Sequence, residues 1–194
     1  MRINVFVSFF LCVMFMSVFA GCNMGDGNVI SQERAIEGFN GITLEGVGNV
    51  NVYPGENFKL IITTDSNLQD RVLTKVNGNT LQISQKSGSF NSTELTMDVY
   101  MPELKNILLS GAGNIKINNG NAFEIDFSLS GAGNIDAQNI QIQNVTIKLS
   151  GVGNAKIWAT NSLNGTLSGV GNILYKGSPT INVNRTGVGS IKPL

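Results

Sequence analysis

The stretch "LSGAGNI", Leu109 to Ile115, decides how this chain is read. It returns as "LSGAGNI" at Leu129–Ile135, as "LSGVGNA" at Leu149–Ala155 and as "LSGVGNI" at Leu167–Ile173. A worn copy, "RTGVGSI", spans Arg185–Ile191, and an early relative, "LEGVGNV", spans Leu44–Val50. The first glycine of the motif falls at 111, 131, 151, 169 and 187, in steps of 20, 20, 18 and 18. A fixed period of this length marks stacked units. At a rise of about 3.3 Å per residue, one period has room for three short strands and three corners. That is the perimeter of one coil of a β-helix, with neighbouring coils about 4.8 Å apart. The early copy begins at Gly46, 65 residues before Gly111, a gap equal to about three more coils, degraded or interrupted.

Inside one copy the alternation is clean. In "FSLSGAGNIDA", Phe127, Leu129, Ile135 and Ala137 share one parity, and Ser128, Ser130, Asn134 and Asp136 the other. The apolar set fills an interior, with Leu109, Leu129, Leu149 and Leu167 in one column and Ile115, Ile135, Ala155, Ile173 and Ile191 in another. The paired glycines, Gly111 and Gly113, Gly131 and Gly133, Gly151 and Gly153, Gly169 and Gly171, allow backbone angles or close approaches that side chains forbid. Asn tolerates left-handed backbone next best. Asn114, Asn134, Asn154 and Asn172 are also placed to form an amide ladder, as stacked amides do in cross-β assemblies. Ser110, Ser130, Ser150, Ser168 and Thr186 are placed for a hydroxyl row. A stacked array repeats its sequence because each coil must match its neighbours, and this requires no ligand.

Upstream, "ITLEGVGNVNVY", "FKLIITT", "TLQISQ" and "LTMDVYM" read as strands. "VNGNTL", Val76–Leu81, carries the Asn-Gly of a hairpin turn. "SNLQDRVL", Ser66–Leu73, is the one candidate helical turn.

The first residues belong to a different class. "MRINVFVSFFLCVMFMSVFAGC" has one basic residue, Arg2, an apolar run from Val5 to Phe19, then Ala20, Gly21 and Cys22. This is a secretory signal, short for a membrane span of about 20 residues. Its "FAGC" ending resembles a bacterial lipobox, with Phe19 where Leu is usual. Of two cysteines, Cys12 lies in the signal, so a mature chain starting at Cys22 has no disulfide to form. Residues 1–21 are read as the lipoprotein-type signal peptide, 22–35 as lipidated Cys and polar tether, and 36–194 as a single β domain with its repeat array at 109–191.

Charged residues are 13% of the chain, the formal charge is zero and histidine is absent. No basic run offers a nucleic-acid or anionic partner surface, and the usual general base and commonest metal ligand are missing. "GAGN" lacks the third glycine of a dinucleotide fingerprint. A calcium β-roll needs an acid in every repeat; the residues two after each Asn are Lys116, Asp136, Lys156 and Leu174. A glycan-cleaving enzyme needs clustered carboxylates, and the array has only Glu124, Asp126 and Asp136, of which Glu124 and Asp126 would lie about 7 Å apart on one strand. Trp158 and Tyr175 form a candidate sugar-stacking shelf. No catalytic, metal or cofactor residue is assigned.

The lipobox, the opening "FNGITLEGVGNVNVYPG", the middle "MPELKNILLSGAGNI" and the serial "SGxGN" copies resemble the family described as putative autotransporter adhesin, head GIN domain. The resemblance covers Ile36–Ile191. Ala155 departs from the branched residue that follows Asn, and Ser190 replaces the last Asn. It implies an all-β, right-handed parallel β-helix, or solenoid, of about 18–20 residues per coil with a less regular N-terminal β part. It carries no catalytic residues to transfer. The expected function is a non-catalytic, lipid-anchored envelope protein, exported to the outer membrane, with an adhesive or surface-binding face. The expected partners are the membrane through Cys22, a glycan or protein ligand, and other copies through the coil ends. A periplasm-facing scaffold is the class-different alternative.

Overall fold

Period-two alternation becomes strand through most of the chain. The computed structural model describes residues 24–194; the signal segment and Cys22 lie outside them. In β7 (Leu95–Met101), Leu95, Met97, Val99 and Met101 are buried and the residues between them are not. β10 (Gly120–Leu129), β11 (Ala132–Leu149) and β12 (Ala155–Leu167) carry the same alternation through the repeats, with local slips where the chain bends. β5 (Val72–Asn77) and β6 (Thr80–Gln85) form the antiparallel hairpin, with Gly78 at φ +57° in its turn. A 3-10 turn, Ser66–Arg71, occupies the segment expected to be helical.

The fold is all-β, one curled open sheet of fifteen strands. Successive repeat units pair in parallel, one period apart. Along one wing, Val50 of β3 (Val47–Pro54) pairs Ile115 of β9 (Ala112–Ile117), and Ile115 pairs Ile135 of β11. Ile135 pairs Ala155 of β12, Ala155 pairs Ile173 of β13 (Ile173–Lys176), and Ile173 pairs Ile191 of β15 (Ile191–Pro193). Along the other wing, Leu44 of β2 (Gly41–Leu44) pairs Leu109 of β8 (Asn106–Leu109), and Leu109 pairs Leu129. Leu129 pairs Leu149, Leu149 pairs Leu167, and Leu167 pairs Arg185 of β14 (Thr180–Arg185). Both columns lie in one buried cluster. Each fully buried Leu or Ile contributes about 1.5–3 kcal/mol relative to exposure.

The N-terminal part departs from the sequence reading. β2 and β3 pair directly with β8 and β9 across 65 residues, so no further coils stand between Gly46 and Gly111. The intervening segment instead lays β6 and β7 on the far side of β2 and β3, pairing Ile42 with Leu81 and Val50 with Met97. This gives the first copy of the motif covered neighbours on both edges. β4 (Lys59–Asp65) then pairs antiparallel with β7, β1 (Val29–Arg34) with β4, and β5 with β6. The polar "VISQER", expected within a tether, is therefore an edge strand.

The 3-10 turn joins these outermost strands. Leu68 is buried there. The Gln69 side-chain amide donates to Ile30 O at 2.9 Å and Ile62 O at 3.0 Å. From β1, Arg34 donates to Val72 O at 2.7 Å, Gln69 O at 2.8 Å and Thr74 Oγ1 at 3.1 Å, clasping the two wings at this end. Asp65 is fully buried. Burial raises its carboxyl, but the Thr93 N–H at 2.7 Å, the Gly27 N–H at 2.8 Å and the Thr93 hydroxyl at 3.0 Å outweigh this and hold it below the usual carboxylate value.

Candidate functional site

The repeated corner is built from glycine geometry and one amide row. Gly133 has φ +145°, and a Cβ there would overlap the Gly113 carbonyl of the adjoining unit. A Cβ at Gly131 would overlap the Gly111 carbonyl in the same way. The same relation joins Gly151 and Gly153 to their predecessors, and then Gly169 and Gly171; Gly111 and Gly113 stack on Gly46 and Gly48. Every described residue at positive φ is glycine, so the asparagines are not here for left-handed backbone. They act through their amides. Asn114 Nδ2 donates to Asn49 Oδ1 at 3.0 Å, Asn134 to Asn114 at 2.8 Å, Asn154 to Asn134 at 3.3 Å and Asn172 to Asn154 at 3.0 Å. Backbone N–H groups of Asn154 and Asn172 donate to the same acceptors at 3.1 Å. Ser190 closes the row, its hydroxyl donating to Asn172 Oδ1 at 2.7 Å. Asn49 and Ser190 thus extend the ladder at both ends, and both stand in copies of the motif quoted above. The serine column forms no such row: Ser110 Oγ donates to Leu44 O at 3.3 Å, and no hydroxyl–hydroxyl bond joins the column among the described residues. The corner has no titratable group, and its amides are committed to one another.

Chemical variety lies elsewhere, where the 55–105 segment interrupts the stack. β3 ends at Pro54. Gly55, at φ +90°, turns the chain away, its N–H donating to Met101 O at 2.9 Å. The chain returns to this level at Lys105. Above the interruption, Asn118 N–H donates to Val52 O at 2.8 Å and Asp126 N–H donates to Lys105 O at 2.9 Å. Between those bonds β10 runs on alone. It pairs β11 from Gly120 but β8 only from Asp126. A cleft of about 510 Å³ fills the gap. Leu104, Ile140 and Ala122 line its apolar part with Pro54 and Pro102. Phe123 stands at its mouth, 68% exposed. Glu103, Glu124 and Asp126 bring three carboxylates, against which Lys105 is the one cation of the lining, 3.4 Å from Glu103. The cleft therefore has an apolar floor, one exposed aromatic ring and net negative charge. Glu124 and Asp126 were visible in the sequence as an acid pair, but Phe123 and Glu103 were not singled out. An aromatic next to the start of a strand, "NAFEID", was the available signal.

The aromatic groups on the outer face are already occupied. Tyr53 and Tyr100 stack at 4.5 Å, and Lys59 Nζ lies 5.0 Å from the Tyr100 ring. Burial, helped by Asp98 and Tyr100, raises the Tyr53 phenol. Lys176 Nζ sits 3.7 Å from the Trp158 ring. Trp158 pairs with Lys176 while Tyr175 pairs with buried Ile157, so Trp158 and Tyr175 lie on opposite faces and make no shelf. Among the described residues, no group of three His, Cys, Asp or Glu is arranged to hold a metal ion, and no helix is long and apolar enough to cross a membrane.

Comparison with known proteins gives one family. The family model described as "Putative auto-transporter adhesin, head GIN domain" matches residues 38–126 and 109–179. Among solved structures, a "putative adhesin" of Bacteroides fragilis is 24% identical, with a TM-score of 0.60 over 88% of this chain and 99% of that one. A "putative cell adhesion protein" of Clostridium sporogenes is 18% identical, with a TM-score of 0.49 over 86% and 99%. A "putative lipid binding protein" of Parabacteroides distasonis is 22% identical, with a TM-score of 0.41 over 88% and 98%. No curated protein matches the chain.

Proposed function

We propose, from the premise that the chain belongs to the head GIN domain family, that this protein is a non-catalytic, lipid-anchored adhesive module of the bacterial envelope. In this reading its sheet winds as a right-handed parallel β-helix, a stiff rod whose repeated corner is scaffold. The cleft at the interruption is where it meets a ligand. The observation that carries this is Phe123, a large apolar ring left 68% exposed at the mouth of a 510 Å³ concavity. Concave sites with an apolar lining and a few convergent polar groups are the usual ligand sites of proteins, and exposed aromatics are enriched where partners bind. Acyl chains on Cys22 hold the rod to the outer membrane, each buried methylene contributing about 0.8 kcal/mol.

The test uses cells producing the full chain, its Cys22→Ser form and its Phe123→Ser form. Brief protease treatment of intact cells should remove the wild-type domain. Adherence of those cells to immobilised glycan or matrix-protein surfaces should fall in both variants, with Cys22→Ser also leaving the membrane fraction. A domain cut only after lysis, or adherence indifferent to Phe123, ends this reading.

A further inference from the structure

We infer that the cleft takes an extended, basic peptide segment of another protein, which enters as the strand missing beside β10. The inference rests on the adhesive reading above and names the ligand class of the same cleft. Each repeat unit elsewhere has a parallel neighbour on this wing: Gly120 pairs Ile140, Ala122 pairs Ile142, and Ser162 pairs Thr180. Only the lower edge of β10 before Asp126 is left without one among the described residues. The bonds at Asn118 and Asp126 bracket the vacancy. The bracketed stretch, at about 3.3 Å per residue, accepts a strand of about four to six residues.

An open strand edge presents unpaired N–H and C=O groups, a template for an added strand. Main-chain bonds then provide affinity, and alternate side chains provide selectivity. The lining fits such alternation. Leu104, Ala122 and Ile140 would receive apolar side chains of one parity. Glu103, Glu124 and Asp126 face the same opening with only Lys105 against them, so Lys or Arg at the other parity is favoured. Phe123 adds a ring face for a basic side chain to cover. An anionic peptide would meet like charge. Neutral sugars would leave the strand edge unpaired.

The experiment uses the folded protein unchanged. An array of acetylated, amidated hexapeptides alternating Lys or Arg with Val, Ile or Leu is probed with residues 24–194. Glu-alternating peptides and a neutral β-linked hexasaccharide are included. Basic peptides should bind, and their affinity should fall as salt rises. Methylating alternate backbone nitrogens of a binding peptide should weaken it at least about tenfold, through the loss of strand bonds. Amide exchange should slow at Gly120–Ile125 on binding, and Glu124→Gln should weaken binding several-fold. Binding unaffected by N-methylation, protection elsewhere in the chain, or no basic peptide bound overturns the strand-addition inference. A hexasaccharide that binds at the cleft when the peptides do not would overturn it while leaving the adhesive reading intact. Indifference of cell adherence to Phe123→Ser removes the reading beneath it.

Discussion

Gly133→Ala should destabilise the protein far more than Gly38→Ala, although both glycines have positive φ. At Gly38, φ is +79° and a Cβ meets nothing within 4 Å. Only backbone strain is added there, about 1–2 kcal/mol. At Gly133, φ is +145°, in a region nearly closed to side chains, which costs about 1–3 kcal/mol. The new Cβ would also fall on the carbonyl oxygen of Gly113. That oxygen belongs to backbone and cannot rotate aside. Adjoining bonds, Ala132 N–H to Gly111 O and Gly133 N–H to Val152 O, each 2.9 Å, must stretch or break. Two such losses add about 0.5–1.5 kcal/mol each. The sum, about 3–6 kcal/mol, is a large part of the 5–15 kcal/mol that usually holds a domain together. Urea unfolding of residues 24–194, followed by circular dichroism and by the single tryptophan, Trp158, measures both variants. If their stabilities lie within about 1 kcal/mol of each other, close approach is not what the corner demands, and the steric account of the repeat fails.

Other perturbations read other parts of the structure. Asn134→Ala removes an amide that donates to Asn114 and accepts twice from Asn154, and should cost about 1–2 kcal/mol in the same urea assay; a neutral result would reduce the ladder to decoration. Arg34→Met leaves the Val72 and Gln69 carbonyls without their donor and should cost about 2–4 kcal/mol, with faster amide exchange at Ser66–Arg71; unchanged exchange there would show that the clasp does not hold the end shut. Asp65 titrates below its ordinary value of 3.8, so its contribution is complete above that pH and is lost as pH falls through the folded value. The stability gap between wild type and Asp65→Asn should therefore be larger at pH 7 than at pH 3, and a gap that stays constant would contradict the assignment.

Strand content and the pairing of repeats were legible because both depend on local pattern. Period-two alternation fixed which side chains of "LTMDVYM" and "FSLSGAGNIDA" turn inward. Equal spacing put Leu129 beside Leu149 and Ile115 beside Ile135. The route of residues 55–105 was not legible, because it depends on which edge of β2 and β3 a later strand covers. Ile42 pairs Leu81 and also Ile107, and nothing local distinguishes those two neighbours. The cleft was hidden for the same reason. Glu124 and Asp126 were visible as an acid pair, but the vacancy they overlook exists only because Gly55 leads the chain away. Trp158 and Tyr175 misled because their separation in sequence, 17 residues, is not the local period of 18 that joins Trp158 to Lys176.

The placement of β2 and β3 between strands that come much later in the chain has a kinetic consequence. Gly41 must find Thr80 and Asn106, and Asn49 must find Thr96 and Asn114, whereas Asn134 finds Asn154 after only 20 residues. Closing a longer loop costs more entropy before any contact offsets it, and chains dominated by distant pairings fold slowly. The N-terminal tiers are thus the slow nucleus. Once they have assembled, each later repeat needs only to condense on a finished template, so the array should zip rapidly toward its C-terminal end.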